Sequence, residues 1–406
     1  MLGLTLEGGG AKGSYQIGAW KAFRELGIDF DGISGTSVGA LNGALMVQDD
    51  FDLAYELWYN ISPTSILDID DKILELLADY ELNPSSLQLI FEEIKKSVRQ
   101  FGVDSKPLEE LVKNNLKEEL IRGSKKDFGI VTVCLTDMKP MEIFKEDIPS
   151  GKISDYLIAS SYLPIFKSKK LDGKKFLDGG LYNNLPVSML YQKGYKKIVA
   201  VRLLSKGRVK RTHYDDLELI QITPQQGLGN MLDFTKERAR FNISLGYYDT
   251  LKAFKGLKGK HYYIEGELSD IDAISFFMNL NEEGIKKLAD LLNLPQALPY
   301  NRLILEGIIP KLSLLMGLDE KATYSDIATG LLESFATCKS IDIFQIYTYN
   351  ELFREIEKHN VTRSTKKDLG ILNSYIVSEI LLRIDKELLL KEALRILLKY
   401  NKSFKL

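Results

Sequence analysis

Only two cysteines, Cys134 and Cys338, occur in 406 residues, so a disulfide framework is excluded, and neither has the neighbours that metal-ligand spacing requires. Histidine is nearly as scarce. His213, His261 and His359 are all there are, and none has a motif around it that would mark a general base. Charge of one sign is also lacking: 54 Lys plus Arg stand against 56 Asp plus Glu, a formal net charge of −2, and nothing global points to nucleic acid. There is no calcium loop of the D-x-[DN]-x-[DN]-G type, so neither a metal nor another cofactor is expected. The first residues, Met1 to Leu6, have no basic segment, no long apolar segment and no small-residue cleavage site, which leads us to expect no secretion signal and a cytoplasmic setting. The longest informative uncharged stretch, residues 32–48, is broken by Gly35, Gly39 and Gly43, and it reads as a turn and a buried helix rather than a membrane span.

That stretch contains the most informative feature that is present. Gly35-Thr36-Ser37-Val38-Gly39 fits G-x-S-x-G, in which flanking glycines allow a strained strand-to-helix turn that lifts a serine hydroxyl clear of a sheet. By itself the pentapeptide also fits simple close packing of small residues. Upstream, Gly8-Gly9-Gly10-Ala11-Lys12-Gly13 lies between the apolar run Leu2–Leu6 and a helical pattern through Tyr15, Ile17, Ala19, Trp20 and Phe23. Such a run offers consecutive backbone N–H groups to an anion at a helix start, although a tight turn alone would also use glycine. It is not a P-loop, because Gly13 separates Lys12 from Ser14. Downstream, Asp178-Gly179-Gly180 precedes Leu181-Tyr182-Asn183-Asn184-Leu185-Pro186, a carboxylate at a glycine turn.

In this order the three segments resemble the patatin-like phospholipases, lipid acyl hydrolases with a Ser-Asp dyad. Ala159-Ser160-Ser161-Tyr162-Leu163-Pro164 resembles the family's segment ahead of the aspartate, and Glu237 to Asp249, with Gly246-Tyr247, resembles the helix that closes the domain. The likeness runs from the first residues to about Gly266. It implies Ser37 as nucleophile and Asp178 as base, the Gly8, Gly9 and Gly10 amides with the Val38 N–H as oxyanion donors, and Lys12, Gly13, Gly35, Gly39, Gly179 and Gly180 as supporting residues. Lys12 adds positive potential, meets a lipid phosphate, or is simply a solvated lysine at a helix start. The implied fold is α/β: a mostly parallel sheet flanked by helices in three layers, related to the α/β-hydrolases.

A carboxylate with a reference pKa near 4 is a poor base for an alcohol in water, so a dyad needs water kept away from Asp178, and an acyl chain in the site would do that. The expected activity is carboxylic ester hydrolysis of the phospholipase A or lysophospholipase type through an acyl-serine. A rival expectation is a regulatory or binding protein that uses the hydrolase fold as a scaffold. A retired enzyme has no physical need to keep all three motifs.

We expect a catalytic domain over 1–268 with a helical insertion at about 53–120, then a helical domain over 269–406. In the insertion Leu87, Ile90, Phe91, Ile94 and Val98 recur at helical spacing, as do Leu108, Leu111, Val112 and Leu116, either as a cap over the site or as core helices. Gly129–Leu135 and Lys197–Leu203 read as buried strands. After Leu268, Pro295, Pro299 and Pro310 punctuate the chain and apolar stripes continue: Ile327, Leu331, Leu332, Phe335; Tyr349, Leu352, Phe353, Ile356; Val377, Ile380, Leu381, Ile384, Leu388. The last helix carries Lys391, Arg395 and Lys399, then Lys402 and Lys405, and is expected to pack on its neighbours or to make peripheral contact with an anionic membrane. Beyond a lipid substrate the sequence names no partner and no oligomeric state.

Overall fold

The computed structural model describes residues 1–66, 105–162, 170–171, 173–210, 214–295, 297–358 and 379–401. It divides into two compact units, Met1–Phe254 and Lys255–Leu406. The stripe Leu87 to Val98, residues 163–169, His213, His359, Val377 and the basic tail at Lys402 and Lys405 lie outside the described residues.

The first unit is built on an eight-stranded sheet in the order β5-β6-β3-β2-β1-β7-β8, with β4 paired to β3. Its centre is parallel: β1 (Leu2–Leu6) lies between β2 (Gly32–Thr36) and β7 (Lys197–Val201), with β3 (Asp127–Cys134) beyond β2 and β8 (Glu218–Ile222) beyond β7. The strands β4 (Lys139–Phe144) and β6 (Lys174–Asp178) run antiparallel to β3, and β5 (Lys170–Leu171) pairs antiparallel with β6. Parallel strands need a covered connection between them, and both faces here are buried under helices. Leu6, Ile33 and Phe128 meet Gly43 of α2 (Val38–Gln48), while Gly3 and Gly129 on the opposite face meet Leu190 and Met189 of a six-residue helix, Val187–Gln192. The result is the three-layer, mostly parallel α/β architecture expected from sequence. Cys134 is buried at the end of β3, and Val131 and Ile130 beside it are fully buried.

Around α2 stand α1 (Ser14–Glu25), α3 (Phe51–Tyr59) and α4 (Lys106–Asn115). Asp50 caps α3 by accepting from the Leu53 N–H, and α4 buries Leu108 and Val112 from the stripe read in the sequence. No described helix is long and apolar enough to cross a membrane.

The second unit is helical around an aliphatic and aromatic core that includes Phe277, Leu288, Leu312, Leu331, Leu352 and Leu397. Helices Tyr324–Cys338 and Tyr349–Lys358 bury the residues of their stripes as expected, except that Phe335 is only partly buried. The last helix, Glu379–Tyr400, buries Ala393, Leu394 and Leu397 in this same core. Two features differ from expectation. A small parallel pair joins β9 (Tyr263–Glu265) to β10 (Ile346–Thr348), three residues each, too short to give a periodic signal. Pro310 does not end a helix: a π-helical stretch, Leu303–Ile308, precedes it, and Pro310 opens the helix Ile309–Met316, where its missing N–H costs little.

Candidate active site

Ser37 sits between β2 and α2 with φ 55° and ψ −127°, a conformation that a side chain adopts only under constraint. The constraint is steric and visible on both sides. A Cβ on Gly35 would stand 2.3 Å from the Gly39 carbonyl oxygen, and one on Gly39 would stand 2.3 Å from that of Leu6. The sharp turn therefore requires both glycines of the pentapeptide. The Ser37 backbone N–H is held by Ser160 Oγ at 2.9 Å, and that hydroxyl donates to the Val131 carbonyl at 2.6 Å.

Asp178, at the end of β6, is buried like Ser37, and the Ser37 side chain is near enough to favour its ionised form. The register Thr132↔Asp178 in β3–β6, beside Thr36↔Val131 in β2–β3, brings them to the same level of the sheet. Burial pushes the Asp178 carboxyl up to about 6, opposed by the neighbouring Ser37 side chain and by the Gly180 N–H, which donates to it at 2.7 Å. Gly179 passes so close to β3 that a Cβ there would meet the Val131 carbonyl oxygen at 2.2 Å.

The glycine loop closes the third side. A Cβ on Gly8 would lie 3.2 Å from Ser37 Cβ, and Gly10 lines the same pocket as Ser37 and Val38. Its donors are not equivalent. The Gly8 N–H is already donated to the Asn184 carbonyl at 3.1 Å and the Ala11 N–H to Met231 at 2.8 Å, whereas those of Gly9 and Gly10 have no acceptor among the described residues. This corrects the expectation for Gly8, which braces the loop instead of offering a free amide. Val38 is the first residue of α2, so its N–H has no intrahelical acceptor. Gly13 ends the 3-10 turn Gly10–Gly13, and its carbonyl accepts from Asn42 Nδ2 at 3.0 Å. Lys12 is half-buried, and that burial lowers its ammonium pKa, with Glu7 opposing the shift and Lys206 adding to it.

Ser37 opens into a pocket with about 780 Å³ of empty volume, part of it open to solvent, walled by Leu41, Leu45, Trp58, Ile61, Leu108 and Phe234 among others. Asn42 lies in this wall, but its side chain is spent on Gly13, Gln16 and the Trp58 indole N–H, at 2.8 to 3.0 Å. Leu108 and Leu111 of α4 are part of the wall. Among the described residues no group of acidic, histidine or cysteine side chains could hold a metal ion. His261, the one described histidine, is exposed in the second unit.

Contacts without a sequence signal tie the three loops together. Glu7 is fully buried and accepts from Arg202 Nε at 2.9 Å and from the Leu203 and Leu204 N–H groups at 2.7 and 3.2 Å. Asn184 Nδ2 donates to the Gly8 carbonyl at 3.1 Å and to Ser205 Oγ at 2.9 Å, and Thr36 Oγ1 donates to the Asn183 carbonyl at 2.8 Å. Asn184 stands in the motif after Asp178, so its position was visible and its partners were not.

The family model described as patatin-like phospholipase matches residues 4–191. A patatin-like phospholipase domain-containing protein of Caenorhabditis elegans is 25% identical over 304 residues, 70% of this chain and 20% of its own length. Patatin-like phospholipase domain-containing protein 7 of Rattus norvegicus is 25% identical over 222 residues, 53% of this chain and 14% of that one. A lysophospholipase of Kluyveromyces lactis is 27% identical over 277 residues, 63% of this chain and 16% of its own. The chain thus matches a fifth or less of the length of these relatives. Among solved structures, VipD from Legionella pneumophila aligns over 99% of this chain and 88% of its own, at 15% identity and a TM-score of 0.41. Residues 4–191, which carry the elbow, the glycine loop and the Asp-Gly-Gly turn, thus match the patatin-like phospholipase family model, and the chain is similar to proteins with that domain.

Proposed function

We propose that this domain is a serine lipid acyl hydrolase in which Ser37 is the nucleophile and Asp178 the general base. The observation that carries the reading is a strained, buried serine at the head of an apolar pocket, with a buried carboxyl at the same level of the sheet whose pKa is pushed up to about 6. Ser37 Oγ attacks the ester carbonyl carbon while its proton passes to Asp178. The oxyanion forms next to the Gly9, Gly10 and Val38 N–H groups. Collapse breaks the ester C–O bond, and Asp178 returns the proton to the leaving alcohol. Water then attacks the acyl-serine by the same proton path and releases the fatty acid. The raised pKa makes Asp178 a better base than an exposed carboxylate while leaving it ionised at neutral pH.

The apolar wall suits an acyl chain, and it presents no spare polar atom of Asn42 to water. Lys12 supplies positive potential beside the glycine loop. The test is release of fatty acid from phospholipid and lysophospholipid vesicles by the full chain and its Ser37→Ala variant. Release at background in the variant is the expected result, and undiminished release would sink the proposal. The ratio of the two substrates assigns the subclass.

A further inference from the structure

Leu204 is a bulky residue with φ +48°, in the left-handed region that leucine avoids, and its side chain is 53% exposed. Both facts have one cause. The buried Glu7 carboxylate draws in the N–H groups of Leu203 and Leu204, and the chain turns so that Leu203 packs on Gly9 while Leu204 points outward. A protein that holds a leucine in a strained backbone in order to expose it invites a functional reading.

Leu204 is not alone. Among the described residues nine large hydrophobic side chains are exposed, and three of them, Leu181, Leu204 and Val209, lie on two loops that are bonded to each other. The Arg208 N–H donates to the Gly180 carbonyl at 2.9 Å and the Asn184 N–H to the Arg208 carbonyl at 2.7 Å, while Ser205 Oγ donates to the Gly8 carbonyl. Each loop holds a part of the Ser37 site, one through the Gly180 N–H on Asp178 and the other through Ser205 on the glycine loop. The charge on them is one-sided: residues 203–214 contain Lys206, Arg208, Lys210 and Arg211 with no acidic residue, and residues 179–190 contain no acidic residue either, in a chain that is otherwise balanced. Lys210 is paired with Glu142 at 3.0 Å, whereas Lys206 and Arg208 are exposed and have no ion pair among the described residues.

We propose that Leu181, Leu204 and Val209, with Lys206 and Arg208, form the surface on which the first unit seats against an anionic bilayer, with the entrance to the Ser37 site facing the lipid. Exposed apolar side chains ringed by unpaired cations match an interface that is apolar below and negative above. The loops that carry the patch also hold Asp178 and the glycine loop, which couples a bilayer seated there to the site that would draw lipid from it. The proposal rests on the lipid substrate inferred above, but docking can be measured without turnover.

The test is co-sedimentation of the full-length Ser37→Ala chain with phosphatidylglycerol/phosphatidylcholine vesicles and with phosphatidylcholine alone. Asparagine tolerates a left-handed backbone, so Leu204→Asn is expected to fold at least as stably as the parent. It should nonetheless weaken binding to the anionic vesicles about tenfold, the worth of one buried leucine. Lys206→Glu with Arg208→Glu should abolish the preference for anionic vesicles and the sensitivity of binding to salt. In the Ser37 background, hydrolysis of a short soluble ester should be unchanged by all three substitutions. Failure of the parent to sediment, or unaltered sedimentation of both variants, would overturn the docking surface. Loss of soluble-ester hydrolysis in the Ser37 parent would instead count against the proposed chemistry.

Discussion

The two units bury different things. Of the buried polar and charged residues described, only Thr329 and Glu333 belong to the second unit, and the rest, Glu7, Asn42, Ser160, Asp178 and Asn184 among them, lie in the first. Unpaired burial of such groups is costly, and the partners of Glu7, Ser160, Asp178 and Asn184 tie together the segments around Ser37. The second unit is held largely by aliphatic and aromatic packing, with a polar clasp in which Glu333 Oε1 accepts the N–H groups of Lys260, His261 and Tyr262 at 2.6 to 2.8 Å. The first unit holds reactive groups in fixed geometry at the expense of stability, and the second contributes stability without them. Substitutions in the first should therefore separate activity from folding, whereas those in the second should move folding alone.

The largest effect is expected at Asp178. Asp178→Asn should lower kcat/KM by about a thousandfold or more, whereas His261→Ala should leave it unchanged, as steady-state hydrolysis of a soluble ester will show. An equal loss in the histidine variant would break the division between the units. Next comes Gly39→Ala, whose new Cβ would meet the Leu6 carbonyl oxygen at 2.3 Å in the central strand. We expect a cost of about 1–3 kcal/mol in urea unfolding, together with a disproportionate loss of Ser37 reactivity.

Asp178→Asn also makes a prediction of opposite sign. The folded chain holds the Asp178 proton more tightly than the unfolded chain, with a pKa of about 6 against 3.8, so ionisation weakens the fold as pH rises through that window. Removing the charge should stabilise the protein by roughly 3 kcal/mol above pH 6, and the gain should vanish near pH 4. Denaturant titrations at pH 8 and pH 4 measure both. The smallest effect is expected in the second unit, where Glu333→Gln should cost about 1–2 kcal/mol and leave ester hydrolysis intact.

Much of the site was legible because its chemistry needs special backbone. Glycines at 35, 39 and 179 are demanded by contacts under 2.5 Å, and a requirement of that kind leaves a pattern in the sequence. The partners of the bracing residues left none. Glu7, Ser160 and Asn184 act across separations of 123 to 196 residues, which no local spacing records. The same holds for the Gly8 amide, whose engagement by Asn184 depends on a loop 176 residues away. Helical stripes such as Tyr349 to Ile356 were readable because one face of a helix is buried, while β9 and β10 are too short for any period to appear.

The central claim is that Asp178, without histidine, activates Ser37. Its most direct test is the pH dependence of covalent labelling by a fluorophosphonate, with the adduct located by peptide mass spectrometry. The account predicts an adduct on Ser37, a labelling rate that rises through an apparent pKa near 6, and loss of that rise in Asp178→Asn. An adduct elsewhere, or the same pH profile and rate in Asp178→Asn, would contradict it.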